Sequence, residues 1–181
     1  MITLTKGNKI NLNKEDNTLK VLQVGLGWDT RTDLDTSAYL FDENNKVKDI
    51  VYFGSKRSKG IFLNGDNLTG EGEGDDEIIT VTLDELPKWV TKVSFCANIF
   101  AAGVKLWGVK DFSKVSGAYI RIVNSKTNKE ICRYNLNENG KGYNAFYFAD
   151  LVRTTNEWEF VPVGRGLNGS VEKIKASLEA M

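Results

Sequence analysis

The 181-residue chain contains no histidine. That absence excludes Ser-His-Asp and Cys-His nucleophile activation in their usual forms, and it excludes catalytic zinc held by histidine. Any general acid or base has to be Asp, Glu, Lys, Tyr or Cys. Cysteine is scarce as well. Cys96 and Cys132 each sit in an apolar, strand-like run and read as small buried hydrophobes. Two cysteines make neither a disulfide framework nor a zinc site. The two prolines, Pro87 and Pro162, are expected near strand ends or edges, where a missing N–H is tolerated. No apolar run approaches the ~20 residues of a membrane-spanning helix. The most apolar stretch, "VSFCANIFAAGV", carries Asn98 in its middle. The opening "MITLTKGNKINL" has no signal-type apolar region, so the expectation is a soluble, cytoplasmic protein. Net charge is also absent, with 24 basic against 24 acidic residues. That balance argues against non-specific binding to nucleic acid or membrane surfaces, and no basic stripe is visible.

What the chain does have is many short alternating runs rich in Val, Ile, Tyr, Phe and Thr. "LKVLQVGLG" (19–27), "TSAYLFD" (36–42), "KDIVYFG" (48–54), "EIITVTL" (77–83) and "KVSFCANIF" (92–100) predict strands. So do "GAYIRIV" (117–123), "KEICRYNL" (129–136), "AFYFADLVR" (145–153) and "EWEFVPVG" (157–164). In "AYIRIV", Tyr119 and Arg121 face one way, Ile120 and Ile122 the other. Only "LNGSVEKIKASLEAM" has helical spacing, with Val171, Ile174 and Leu178 on one face and Asn168 or Ser170 as the cap. The expected fold is all-β: one domain over residues 1–181, a β-sandwich of two antiparallel sheets with a short C-terminal helix.

One segment breaks the even distribution of charge. "NGDNLTGEGEGDDE" (64–77) holds six carboxylates, Asp66, Glu71, Glu73, Asp75, Asp76 and Glu77, and no basic residue. Gly70, Gly72 and Gly74 alternate with the acids, so the backbone can turn sharply and offer carbonyls. Two like charges ~4 Å apart repel by about 1 kcal/mol in water and roughly 4 kcal/mol at an effective dielectric near 20. A compact loop of this kind favours a divalent cation. Calcium takes carboxylate, amide and backbone oxygens, and this segment offers all three, Asn67 included. Asp66 and Glu77 fit the first and twelfth positions of an EF-hand, but Leu68, Gly70 and Glu71 stand at its third, fifth and sixth, which rules it out. Phosphate cradling is excluded by the acids and by the missing "GK[ST]". Asp29, Asp33 and Asp35 form a second cluster upstream. Asp33 and Asp35, two apart, share a face if extended.

"VGLGWD" (24–29), "DLDTSAYL" (33–40), "GDNLTGEGEGDDE" (65–77), "AYIRIV" (118–123), "RYNL" (133–136) and "EWEFVPVGRG" (157–166) resemble the TerD family of bacterial tellurium-resistance and stress proteins. The match runs in order over nearly the whole chain. The resemblance implies a sandwich of two sheets that binds calcium through the acidic loop and the Asp-Leu-Asp segment. Carried over, it implies Asp33, Asp35, Asp66, Asn67, Thr69, Gly70, Gly72, Asp75, Asp76 and Glu77 as ligands of Ca2+, with two ions expected. Asp29 belongs to the matching "GLGWD", where the expectation is a structural role. The family often has a histidine just before its "GDN"; here Leu63 and Asn64 stand there, and "TRTDLD" carries fewer aspartates than usual.

The expected function is a non-enzymatic binding or scaffold module whose acidic loop is ordered by calcium. The expected partners are other tellurium-resistance proteins or a membrane-associated complex. The alternative is a calcium-dependent carbohydrate- or small-ligand-binding sandwich, for which Trp107 in "KLWGVKDFSK" (105–114) is the best candidate for exposure. A metal-dependent hydrolase would need an open coordination position and a general base, and a carboxylate-rich cage argues for saturation instead.

Overall fold

The computed structural model describes residues 2–30, 33–64, 74–99, 111–155 and 157–181. Its first sheet contains β1 (Ile2–Leu4), β3 (Val21–Gly27), β6 (Arg57–Ser58), β7 (Ile61–Leu63), β8 (Glu77–Thr82), β10 (Tyr119–Asn124) and β11 (Lys129–Asn135). The second contains β2 (Ile10–Asn11), β4 (Leu34–Phe41), β5 (Val47–Val51), β9 (Lys92–Ile99), β12 (Ala145–Arg153) and β13 (Trp158–Leu167). In space the orders are β1-β11-β10-β3-β8-β7-β6 and β2-β13-β12-β9-β4-β5. The strands pair antiparallel except β1 with β11, which run parallel. The expected sandwich is therefore present, with one parallel edge that the alternating pattern does not signal.

Period-two patterning builds the core. Leu22, Val24 and Leu26 of β3, Ile79 and Val81 of β8, and Ile120 and Ile122 of β10 face Phe95, Phe148 and Phe160 of the second sheet in one buried cluster. Each such side chain, fully buried, contributes roughly 1.5–3 kcal/mol. Strand β4 is buried at all eight positions, because both faces of its sheet are covered. Its far face meets α2 (Val171–Glu179), which seats Ile174 and Leu178 in a second cluster with Tyr39, Phe41, Cys96 and Tyr147. The Tyr39 hydroxyl donates to the Val171 carbonyl at 3.3 Å, and the Glu179 carboxylate accepts the Val47 N–H at 2.8 Å. Ser170 stands at the start of α2 without a capping side-chain bond, while Asn168 accepts from the Asn144 N–H instead.

A second, four-residue helix, α1 (Leu12–Glu15), is held by the Asn11 side chain accepting the Lys14 N–H. It corrects the expectation of a lone terminal helix: one turn is too short to show helical periodicity. Pro162 lies within β13 rather than at its end, near a register shift between β12 and β13. The edge strand β2 pairs only with Glu159 and Phe160 there, so the missing N–H is harmless. Both cysteines are free and buried. Burial pushes the Cys132 thiol up to about 12 and the Cys96 thiol well above its usual range, so both are inert hydrophobes.

Candidate functional site

The sandwich brings the acidic motifs to one end. There β3 finishes at Gly27, β4 starts at Leu34, β8 starts at Glu77 and β10 starts at Tyr119. Leu26 pairs with Glu77 and Val24 with Ile79, so Glu77 occupies an inward-facing position of its sheet. Its side chain is almost wholly buried, 1% exposed, and its Oε2 accepts the Thr36 N–H of β4 at 2.6 Å. One carboxylate thus ties the two sheets together. Asp76 is buried beside it. Its N–H donates to the Leu26 carbonyl, and its Oδ2 accepts the Trp28 N–H, each at 2.8 Å. Trp28 and Trp158 are core residues.

Asp35 is also buried, but on the other side of β4, aligned with Asn98 of β9 and on the face shared with Tyr39. Asp33 precedes β4 and is partly exposed. Asp29 is exposed; its N–H donates to the Ser116 carbonyl at 2.8 Å. Its carboxylate packs on Gly117, where a Cβ would sit 1.9 Å from Oδ2, so Asp29 and Gly117 fix a turn.

Asp75 points the opposite way from Glu77, over the outer face of the first sheet. Arg121 grips both of its oxygens, Nε to Oδ1 at 2.7 Å and Nη2 to Oδ2 at 3.0 Å. The Tyr119 hydroxyl lies 2.9 Å from the same Oδ1 and 2.7 Å from the Gly74 carbonyl. Arg121 reaches on to Glu130 at 2.9 Å, and Arg133 stacks on the Tyr119 ring at 3.5 Å. The Asp75 bond, offset by burial and helped by Glu130, holds the Arg121 guanidinium above its ordinary pKa. Burial, then the Asp75 charge, raises the Tyr119 phenol. The glycines of "GLG" provide the clearance. A Cβ on Gly25 would lie 2.0 Å from Asp75 Oδ2, and one on Gly27 2.4 Å from the Tyr119 hydroxyl.

Of the residues expected to hold a cation, Asp66, Asn67, Thr69, Gly70 and Gly72 lie outside the described residues, as does Trp107. Among the described residues, no three Cys, Asp or Glu side chains gather closely enough to form a metal site by themselves. Two buried oxygens beside the acids have no hydrogen-bond partner: Thr36 Oγ1, next to the N–H that Glu77 holds, and Asn98 Oδ1, across from Asp35. Buried carboxylates with neighbouring orphaned oxygens form an oxygen-only donor set, which suits a hard cation. Asp35, Asp76 and Glu77 fit that chemistry. Asp75 points away from Asp76 and Glu77, and its carboxylate is held by Arg121. The sequence marks Arg121 as a strand arginine able to pair with an acid across a sheet face, and the alternation in "AYIRIV" puts it on one face with Tyr119; it does not single out Asp75 as the partner.

Comparison with known proteins agrees with the architecture. A model of the TerD domain matches residues 1–177. The tellurium resistance protein TerD of Serratia marcescens is 37% identical over 97% of this chain and 95% of its own length. General stress protein 16U of Bacillus subtilis is 37% identical over 96% and 94%. The crystal structure of a homologue of telluride resistance protein (TerD) from Streptomyces coelicolor shares the fold, with a TM-score of 0.70 at 24% identity over 87% of this chain and 95% of that one. With a domain match along nearly its full length and relatives above one-third identity, the chain belongs to the TerD family.

Proposed function

We propose that this chain is a calcium-binding, non-enzymatic stress protein of the tellurium-resistance type, in which the acidic end of the sandwich is a binding surface ordered by the ion. The observation that carries the reading is the buried pair Asp76 and Glu77. Two adjacent carboxylates leave solvent at the mouth of a segment that has no basic residue of its own. Each accepts a backbone N–H, and a hard, oxygen-seeking cation is a further partner that clustered carboxylates favour. Asp35, Asp76 and Glu77, with the expected Asp33, Asp66, Asn67, Thr69, Gly70 and Gly72, would hold the ion or ions. Bound calcium supplies positive charge and a shell that takes six to eight oxygens.

The chain's own contribution is positional. Glu77 is fixed by the Thr36 N–H, Asp76 by the Trp28 N–H, and Asp75 is drawn off to Arg121. Neutralising Asp75 on the far face lowers the repulsion that closing the loop must overcome. The ordered end would then meet a protein partner, another tellurium-resistance protein or a membrane-associated complex. A cytoplasmic site of action is part of this reading. No helix among the described residues is long and apolar enough to cross a membrane.

Thermal melting of chelator-stripped protein tests it. At calcium 100 times the dissociation constant, linkage adds about 2.7 kcal/mol per site, which raises Tm by roughly 5–10 °C. Magnesium at the same concentration is expected to do much less. An unchanged Tm with both ions would reject the reading.

A further inference from the structure

Asparagine is followed by glycine at Asn64–Gly65, Asn139–Gly140 and Asn168–Gly169. Such a pair is reactive because glycine has no Cβ to hinder its own nitrogen from approaching the preceding side chain. Attack of that nitrogen on the asparagine Cγ closes a five-membered ring and expels ammonia. In a folded chain the outcome depends on exposure of the amide and on whether the glycine N–H is engaged. Gly65 lies outside the described residues, so the structure compares the other two pairs.

At Asn168–Gly169 the nucleophile is held. The Gly169 N–H donates to Asn144 Oδ1 at 2.8 Å, and Asn168 Oδ1 accepts the Asn144 N–H at 3.0 Å. These two bonds form a reciprocal clasp at the entry to α2. The clasp has to open before the Gly169 nitrogen loses its proton and turns on Cγ.

Asn139–Gly140, in the connection between β11 and β12, is different. Asn139 is exposed. Among the described residues nothing accepts the Gly140 N–H or the Asn139 side-chain amide. Asn139 Oδ1 accepts the Lys141 N–H at 3.0 Å, as in an Asx turn. That donor sits where negative charge develops during attack, so it favours the tetrahedral intermediate. Asn168 Oδ1 has a comparable donor, which leaves the glycine nitrogen as the difference between the pairs. Gly140 is fixed on its other side. Its carbonyl accepts the Tyr143 N–H at 3.2 Å, and a Cβ there would lie 2.4 Å from the Phe112 backbone carbon. The fold therefore demands glycine here and keeps the reactive pair.

We propose that Asn139 is a self-modification site and that the Asn144 clasp protects Asn168 from the same reaction. The Gly140 nitrogen bonds to Asn139 Cγ and the Cγ–Nδ2 bond breaks. The proton lost from Gly140 is returned, through water, to Nδ2, which leaves as ammonia. Water then opens the succinimide to aspartate or isoaspartate, with no change of oxidation state. Each event adds a carboxylate to a chain that is otherwise neutral. The isoaspartate product also lengthens the backbone by one methylene beside Gly140, which has no room against Phe112. Phe112 packs on Phe146 with centroids 5.0 Å apart, so a change at one exposed amide reaches the core. The inference does not depend on the calcium reading, and its test does not read calcium.

The test is peptide mapping by mass spectrometry of the folded full chain aged in mildly alkaline buffer, beside the chain aged in denaturant. In the folded chain, conversion at Asn139 is expected to outpace that at Asn168 by about tenfold, because two bonds hold the second pair. Unfolding should bring the two rates together. Asn144→Ala removes the acceptor of the Gly169 N–H and should speed conversion at Asn168 about fivefold, leaving Asn139 unchanged. The acidic form that accumulates on isoelectric focusing of the aged native chain should be absent from Asn139→Gln. Conversion at Asn139 no faster than at Asn168, a difference that persists in denaturant, or the same acidic form in Asn139→Gln would overturn the modification site. An unchanged rate at Asn168 in Asn144→Ala would overturn the protective clasp.

Discussion

The two ends of the sandwich use carboxylates in opposite ways. At the far end, Asp42 closes the β4–β5 turn, where it is partly exposed. Its Oδ1 accepts the N–H groups of Asn44 and Lys46, each at 2.9 Å, and these bonds hold its pKa below the usual value. Asp16 does the same with Thr18 and with Asn124, at 2.7 and 2.8 Å. Those acids are held by turn groups, Asp16 also by Asn124 of β10, and both stay partly exposed. At the near end Asp35, Asp76 and Glu77 are buried, and unpartnered oxygens stand beside them. One residue type thus terminates turns at one end and is buried at the other. The difference lies in which side of the strand the acid occupies. Asp75 and Glu77, two residues apart, show that facing is set by more than chain position, since Asp75 precedes the strand and folds outward onto Arg121.

The largest effect should come from Glu77. Glu77→Ala strands the Thr36 N–H between the sheets and is expected to cost about 2 kcal/mol, lowering Tm by roughly 4–8 °C and abolishing calcium stabilisation. Differential scanning calorimetry with and without calcium reads both effects. Next is the outward clamp. Gly25→Ala drives a Cβ into Asp75 and should release it from Arg121; Arg121→Met removes the partner instead. Each is expected to weaken calcium binding severalfold at a cost of about 1 kcal/mol in stability. If either leaves the isotherm untouched, the outward and inward acids are independent.

A smaller, pH-dependent effect belongs to Asp150, which lies away from both ends. Burial raises its carboxyl above 3.8, partly offset by the Ser94 and Tyr147 hydroxyls, which donate to it at 2.6 Å. A raised acid contributes most below the unfolded value, and the contribution fades as pH climbs through the folded value. Tm should therefore fall as pH rises from 3.8 through that window, and Asp150→Asn should flatten the slope. The smallest effect is expected from Asp42→Ala, which loosens one exposed turn and leaves calcium binding unchanged.

Much of this was legible in the sequence. The long strands were, because each buries one face and alternates; Ala145–Arg153 matches its expected range residue for residue. The short strands β1, β2, β6 and β7 were not, since two or three residues carry no period. The acidic end was legible as a charge anomaly, and its coming together with "DLD" follows from the sandwich. The Arg121–Asp75 pair was not, because its members are 46 residues apart and only strand register brings them face to face. Asn98 was hidden for a related reason. It sits in an apolar run, and only its unpartnered oxygen marks it.

Isothermal calorimetry of chelator-stripped protein against calcium, beside the Glu77→Gln variant, tests the central claim most directly. The account predicts saturable, calcium-selective heat in the native chain that is lost or sharply weakened in the variant. No heat in the native chain, or an identical isotherm in the variant, would contradict it.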